Sequence, residues 1–159
     1  MAVTLNASTS TGLVQSADTS GIITLQNNGT NALTVDSGNL QFNSGYGSVA
    51  TAYGCRAWVN FNGTGTPAIR ASGNVTSITD NGTGDYTVNI TTALPDANYS
   101  ITGTTSMIFG VSYNGALAIN TNNTTAAEVA PTTTAFRVAT RNSAATNVDI
   151  AYINVAIFR

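Results

Sequence analysis

Apolar residues in this chain come in short clusters and never in long runs. In the first 42 residues the clusters VTL (3–5), GLVQ (12–15), IITLQ (22–26), ALTV (32–35) and LQF (40–42) recur about every ten residues, separated by NASTST, SADTSG, NNGTN and DSGN. Asn, Asp and Ser bond to their own backbone and Gly accepts positive φ, so these separators read as turns. Short β segments at this spacing predict a sandwich, a barrel or a solenoid-like stalk. Each segment holds only two or three apolar residues. That is enough for one apolar face and leaves nothing to cover it; equivalent segments from other copies of the chain are the simplest cover. Leu13, Ile23, Leu25, Leu33 and Val35 are the apolar centres expected to serve such attachment.

Residues 43–54, NSGYGSVATAYG, break the pattern and predict a linker between an N-terminal β segment (1–42) and a C-terminal domain (55–159). From 55 on the strands are longer: CRAWVNF, a short AIRAS, then NVTSITD and DYTVNIT flanking NGTG, a hairpin signal in which Asn81-Gly82 can take φ > 0. In DYTVNIT, Tyr86, Val88 and Ile90 alternate with Thr87, Asn89 and Thr91, one buried face and one wet face. LPDAN (94–98) reads as a turn and NYSITGTT as a strand. MIFGVSY and ALAIN flank Asn114-Gly115, a second hairpin signal, and AFRVATR and NVDIAYINVAIFR close the chain. In the last of these Ile150, Tyr152, Ala156 and Phe158 share one face with Asn154, and Ala151, Ile153, Val155 and Ile157 share the other. A strand apolar on both faces is covered on both, so it is central in the core or packed on a neighbouring subunit. Ile150, Ile153, Val155, Ile157 and Phe158 are therefore the expected subunit-interface residues. No segment keeps a 3.6-residue apolar period. The expected fold is all-β: a short-stranded N-terminal segment, then an antiparallel, jelly-roll-like sandwich, in an intertwined homotrimer.

Composition narrows the function. Only 8% of the 159 residues are charged, against about 25% in an ordinary domain, while the apolar fraction of 42% is near normal. Thr, Asn and Ser have replaced charges and not core. A net charge of −2 gives little repulsion between copies, which suits a protein held permanently in an assembly. The five Arg (56, 70, 137, 141, 159) form no run and Lys is absent, which argues against nucleic acid as a partner. Cys55 is alone, so it forms no intrachain disulfide and no Cys-rich metal site, and reads as a partly buried small residue. MAVTLNASTS lacks the basic and apolar regions of a secretory signal, and no stretch nears the roughly 20 apolar residues of a membrane span. A protein made in a cytoplasm, with no membrane insertion, is expected.

Candidate chemistry is sparse. With no His, acid–base work would fall to Asp18, Asp36, Asp80, Asp85, Asp96, Glu128 and Asp149. Most lie in turn contexts, where Asp caps backbone N–H groups. No catalytic residue, metal ligand or cofactor site is therefore expected. DNGTGD (80–85) lacks the ligand spacing of a Ca²⁺ loop and reads as a hairpin. The Asn-x-Ser/Thr triplets follow from Asn/Thr richness. Trp58, Tyr86, Tyr99, Tyr113 and Tyr152 could stack on sugars; Trp58 and Tyr86 read as core because both lie inside strand patterns, leaving Tyr113 at the tip YNG as the exposed candidate for a host glycan.

AWVNFNGTGTPAIRASGNVTSITDNGTGDYTVNITTALPDANY resembles a segment common in tail-fibre and other virion structural proteins of tailed bacteriophages. The resemblance covers Tyr53 to about Thr104, weakens through 105–147, and returns loosely at NVDIAYINVAIFR; GLVQSADTSGIITLQNNGTNALTVDSGN is similar to the repetitive β segments that precede such domains. It implies a non-enzymatic, trimeric component of the virion surface with no catalytic motif. A tail fibre in contact with the host is the first expectation. A capsid decoration or cement protein, or a head fibre, is the second. A glycan-binding module or adhesin follows, and a glycan-cleaving tailspike is disfavoured by the sparse carboxylates. The partners implied are the chain itself, a tail or major capsid protein, and a host surface glycan.

Overall fold

The structure, a computed structural model, describes residues 20–43, 49–106, 116–122, 127–142 and 144–159. Leu13, Asp18, Tyr113, the clusters at 3–5 and 12–15, MIFGVSY and the Asn114-Gly115 turn lie outside these residues. No helix occurs among the described residues. The chain divides into two compact units, Met1–Ala52 and Tyr53–Arg159.

The first unit holds β1 (Ile23–Asn27), β2 (Thr30–Asp36), β3 (Asn39–Phe42) and β4 (Ala50–Thr51), hydrogen-bonded in that order. Two-residue turns join the first three. Asn28 and Gly29 have φ of 49° and 76°, Ser37 and Gly38 49° and 78°. Positive φ at both central residues matches the twist of the flanking strands, and Asn-Gly and Ser-Gly tolerate it. The turns fall in the NNGTN and DSGN separators. Within the stretch expected to break the pattern, β4 returns to the sheet, Ala50 opposite Phe42 and Thr51 opposite Gln41.

The second unit contains β5 (Cys55–Asn62), β6 (Ala68–Gly73), β7 (Val75–Gly82), β8 (Asp85–Ile90), β9 (Ser100–Thr105), β10 (Ala116–Ile119), β11 (Thr121–Asn122), β12 (Ala127–Glu128), β13 (Ala135–Arg141) and β14 (Ile153–Phe158). Two four-stranded antiparallel sheets result, of order β6-β5-β14-β9 and β10-β13-β8-β7, with β11 and β12 as a small pair. Asn74 alone connects β6 in one sheet to β7 in the other. It adopts φ 57°, and its side-chain amide donates to Arg56 O (3.1 Å) and Thr92 O (3.2 Å) and accepts from Thr92 N–H (2.8 Å). Asn tolerates this left-handed conformation, and its amide ties together two segments 18 residues away on either side.

Alternation builds the core. Ala57, Val59 and Phe61 of β5 and Ile153, Val155 and Ile157 of β14 meet Tyr86, Val88 and Ile90 of β8 and Phe136 and Val138 of β13 across the gap between the sheets. Phe61 and Tyr86 meet edge to face, centroids 5.3 Å apart. Burying each such side chain contributes roughly 1.5–3 kcal/mol. The wet-face, buried-face reading of DYTVNIT holds: Tyr86, Val88 and Ile90 are buried, Thr87 and Asn89 only half so.

Two expectations are corrected in detail. The hairpin over NGTG exists, but its tip is Thr83-Gly84, between Gly82 and Asp85. Positive φ falls on Gly82 and Gly84, while Asn81 stays in β7 at a register shift and donates its amide to Thr87 Oγ1 at 2.9 Å. The closing strand is shorter than NVDIAYINVAIFR and begins at Ile153. It lies between β5 and β9, and its two faces have different fates. Ile153, Val155 and Ile157 fill the chain's own core, joined by Ile150 from the preceding loop. Asn154 and Phe158 point the other way and are exposed.

Candidate functional site

Most of the described aspartates hold turns or brace the fold. Asp85 is buried and takes a fork from Arg137 of β13, Nε to Oδ1 at 3.0 Å and Nη2 to Oδ2 at 2.6 Å. Asp149 Oδ1 accepts from Gly84 N–H at 2.7 Å and lies 2.8 Å from the Tyr86 hydroxyl, which also reaches Gly63 O at 2.9 Å. Burial first, then the Asp149 carboxylate, push the Tyr86 phenol well above its ordinary value. A phenol held protonated is a hydrogen-bond donor and a poor base. Asp80 caps Gly82 N–H and Asp96 caps Asn98 N–H, as their turn contexts predict; Asp96 also pairs with Arg159. Asp36 accepts from the Ser37 hydroxyl, and Glu128 is exposed in β12. Among the described residues no three of His, Cys, Asp and Glu gather into a group that could hold a metal ion.

The first unit presents a different kind of site. Its register places Ile23 opposite Val35, Leu25 opposite Leu33, Leu33 opposite Phe42 and Val35 opposite Leu40. Side chains alternate across a strand, so these six apolar residues share one face. Leu25 is 52% exposed, Ile23 49%, Leu40 48%, Phe42 45% and Val35 39%. No ionisable residue interrupts them. The opposite face carries Thr24, Thr34 and Gln41, and Thr34 is buried. The usual order is inverted: the apolar face is the open one. Of the residues expected to serve attachment, Ile23, Leu25, Leu33 and Val35 lie together on this face. Leu40 and Phe42 belong with them, although they were not singled out. LQF was readable as a strand, but only the two-residue turn at Ser37-Gly38 sets the register that brings Leu40 and Phe42 to this side.

The residues expected at a subunit interface divide. Ile150, Ile153, Val155 and Ile157 pack inside the second unit, so in this chain their burial is intramolecular. Phe158 is 39% exposed on the outer face of its sheet. The aromatic reading is partly corrected as well. Tyr86 is core, and Tyr99 donates its hydroxyl to Thr132 O at 2.9 Å while its ring meets Phe136 edge to face. Trp58 is not core: it is 44% exposed, and Tyr152 is 52% exposed. The signal was in CRAWVNF itself. Trp58 shares its parity with Asn60 and Asn62, while Ala57, Val59 and Phe61 take the inner side. Cys55 is exposed at the start of β5, its thiol 3.3 Å from Ala57 O, and not a partly buried filler.

No known protein family matches the chain, and no curated protein matches it. Among solved structures it is similar to that described as the "Crystal structure of phiAB6 tailspike in complex with three-repeated oligosaccharides of Acinetobacter baumannii surface polysaccharide". The two share 17% identity at a TM-score of 0.48, over 99% of this chain and 30% of that one.

Proposed function

We propose that this chain is a non-enzymatic structural component of a tailed-phage virion, a homotrimeric surface fibre or knob carried on the tail and in contact with the host. The phage assignment rests on the resemblance over Tyr53 to about Thr104. The observation that carries the structural role is the open apolar face of the first unit. Six large apolar side chains on one small sheet gain nothing from facing water; five of them are 39–52% exposed, so covering what remains open would contribute roughly 1 kcal/mol apiece. Further copies of the chain supply a matching face, and a net charge of −2 opposes their approach weakly. The low charge and the use of the described aspartates in turns and braces fit a protein whose work is mechanical.

The same face would also suit a capsid shell protein, so location is decided by stoichiometry. Purified virions are digested and this chain is quantified against the major capsid protein by mass spectrometry. A few to a few tens of copies per particle is the expected result for the tail. Hundreds would move the protein to the shell as a decoration or cement protein. Absence from the particle overturns the proposal.

A further inference from the structure

The outer face of the β6-β5-β14-β9 sheet is ordered in rows. One row runs Gly73, Trp58, Ala156, Thr102 and the next runs Ala71, Asn60, Asn154, Thr104. Rows on one face are two residues apart, about 7 Å. Phe158 follows beyond the first row. Tyr152 follows beyond the second, with the Arg70 guanidinium 4.0 Å above its ring. A Cβ on Gly73 would meet Trp58 Nε1 at 2.5 Å and Cδ1 at 2.9 Å. The indole therefore lies over the bare backbone of Gly73 and leans toward β6. On its other side Ala156 is too small to fill the space. What remains is a depression of 320 Å³ walled by Trp58, floored by Ala156, and lined by Asn60, Asn154, Thr102 and Thr104. That volume is at the lower end of small-molecule sites, about 300–1,000 Å³.

The polar groups in it are poised outward. The Asn60 amide donates to the Asn154 side-chain oxygen. That bond uses neither Asn60 Oδ1, an acceptor, nor Asn154 Nδ2, a donor. Thr102 and Thr104 are exposed and add two hydroxyls. Among the described residues, no ionisable group lines the depression. We propose that it binds a neutral saccharide, one sugar ring stacked by its C–H face on the Trp58 indole and its hydroxyls paired with Asn60, Asn154, Thr102 and Thr104. The proposal deepens the host-contact reading and rests on it for its biological meaning. A second protein surface is the rival occupant. Protein interfaces place their apolar residues centrally and their polar residues at the rim, whereas here the polar row runs between Trp58 and Phe158 on one side and Tyr152 on the other.

Trp58 is the chain's one tryptophan, so intrinsic fluorescence reports the site directly. The full chain in its assembled form is titrated with triacetylchitotriose, cellotriose and maltotriose, with trigalacturonic acid as the charged control. The expected result is a saturable change in Trp58 emission with at least one neutral trisaccharide. By calorimetry, Trp58→Ala should bind that trisaccharide at least about tenfold more weakly and Trp58→Phe, which keeps a ring, should fall between. Both changes are at an exposed position, and circular dichroism checks that they fold. No response to any of the neutral trisaccharides, or equal affinity in Trp58→Ala, overturns the proposal. So does protection of Trp58 from acrylamide quenching in the saccharide-free assembly, which would show a protein surface on this face. Virion copy number is measured independently, so failure of binding and failure of the virion reading remain distinguishable.

Discussion

Tyr86 joins three parts of the second unit through one side chain. Its ring packs on Phe61 of the facing sheet, and its hydroxyl reaches Gly63 O after β5 and Asp149 before β14. The alternation in DYTVNIT was enough to place the ring inside, because a period of two needs no tertiary information. The partners of the hydroxyl were not legible, since Gly63 and Asp149 are brought together only by the closing of the sandwich. The phenol is raised in the folded state above its ordinary value of 10.0, by burial and then by Asp149. A raised value on a group that is neutral when protonated stabilises the fold fully below the unfolded value and loses that contribution as pH rises toward the folded one. Tyr86→Phe should therefore cost about 1–3 kcal/mol near neutral pH, from the buried acceptors left unpaired. The gap from the native chain should then shrink above about pH 10, where the unfolded phenol ionises. Urea denaturation at pH 7 and pH 11 checks this, and a gap that stays constant or widens with pH would contradict it.

At the scale of the element, β14 shows how an ambiguous pattern resolves. Apolar residues on both faces left two readings open: a central core strand, or a strand covered by another subunit. Register decides the inner face. Ile153 lies opposite Phe61 and Val155 opposite Val59, so the inner row joins the sandwich core. The outer row of Tyr152, Asn154, Ala156 and Phe158 contains only one charge-free amide among apolar residues, which is why sequence alone could not tell it from a second core face. The two parities should respond unequally to truncation. Ile153→Ala should cost about 2–5 kcal/mol, because it opens a cavity in a close-packed core. Asn154→Ala should stay within about 0.5 kcal/mol, as surface changes usually do. Denaturant midpoints of the two variants give the comparison, and equal costs would mean that both faces of the strand are covered.

For the whole molecule, the question is what covers the apolar sheet of the first unit. The last three rungs of the ladder, IITLQ, ALTV and LQF, and their turn chemistry were readable because β1, β2 and β3 are joined by local turns whose residues prefer positive φ. The exposure of the face fits the thinness that the sequence displayed: strands with two or three apolar residues supply one apolar face. Among the described residues, the two four-stranded sheets of the second unit close over a shared core, whereas the sheet of the first unit leaves its apolar face exposed. Charges placed on the open face should separate the two behaviours. Leu25→Glu with Leu40→Glu puts a carboxylate on the first and third strands of that face and leaves every residue of the second unit unchanged. Bringing like charges together in a desolvated contact is strongly unfavourable. Sedimentation velocity should show the assembly falling to smaller species, while the cooperative unfolding of the second unit is unchanged. An assembly of unaltered size would place the contact between copies elsewhere and remove the observation on which the structural role rests.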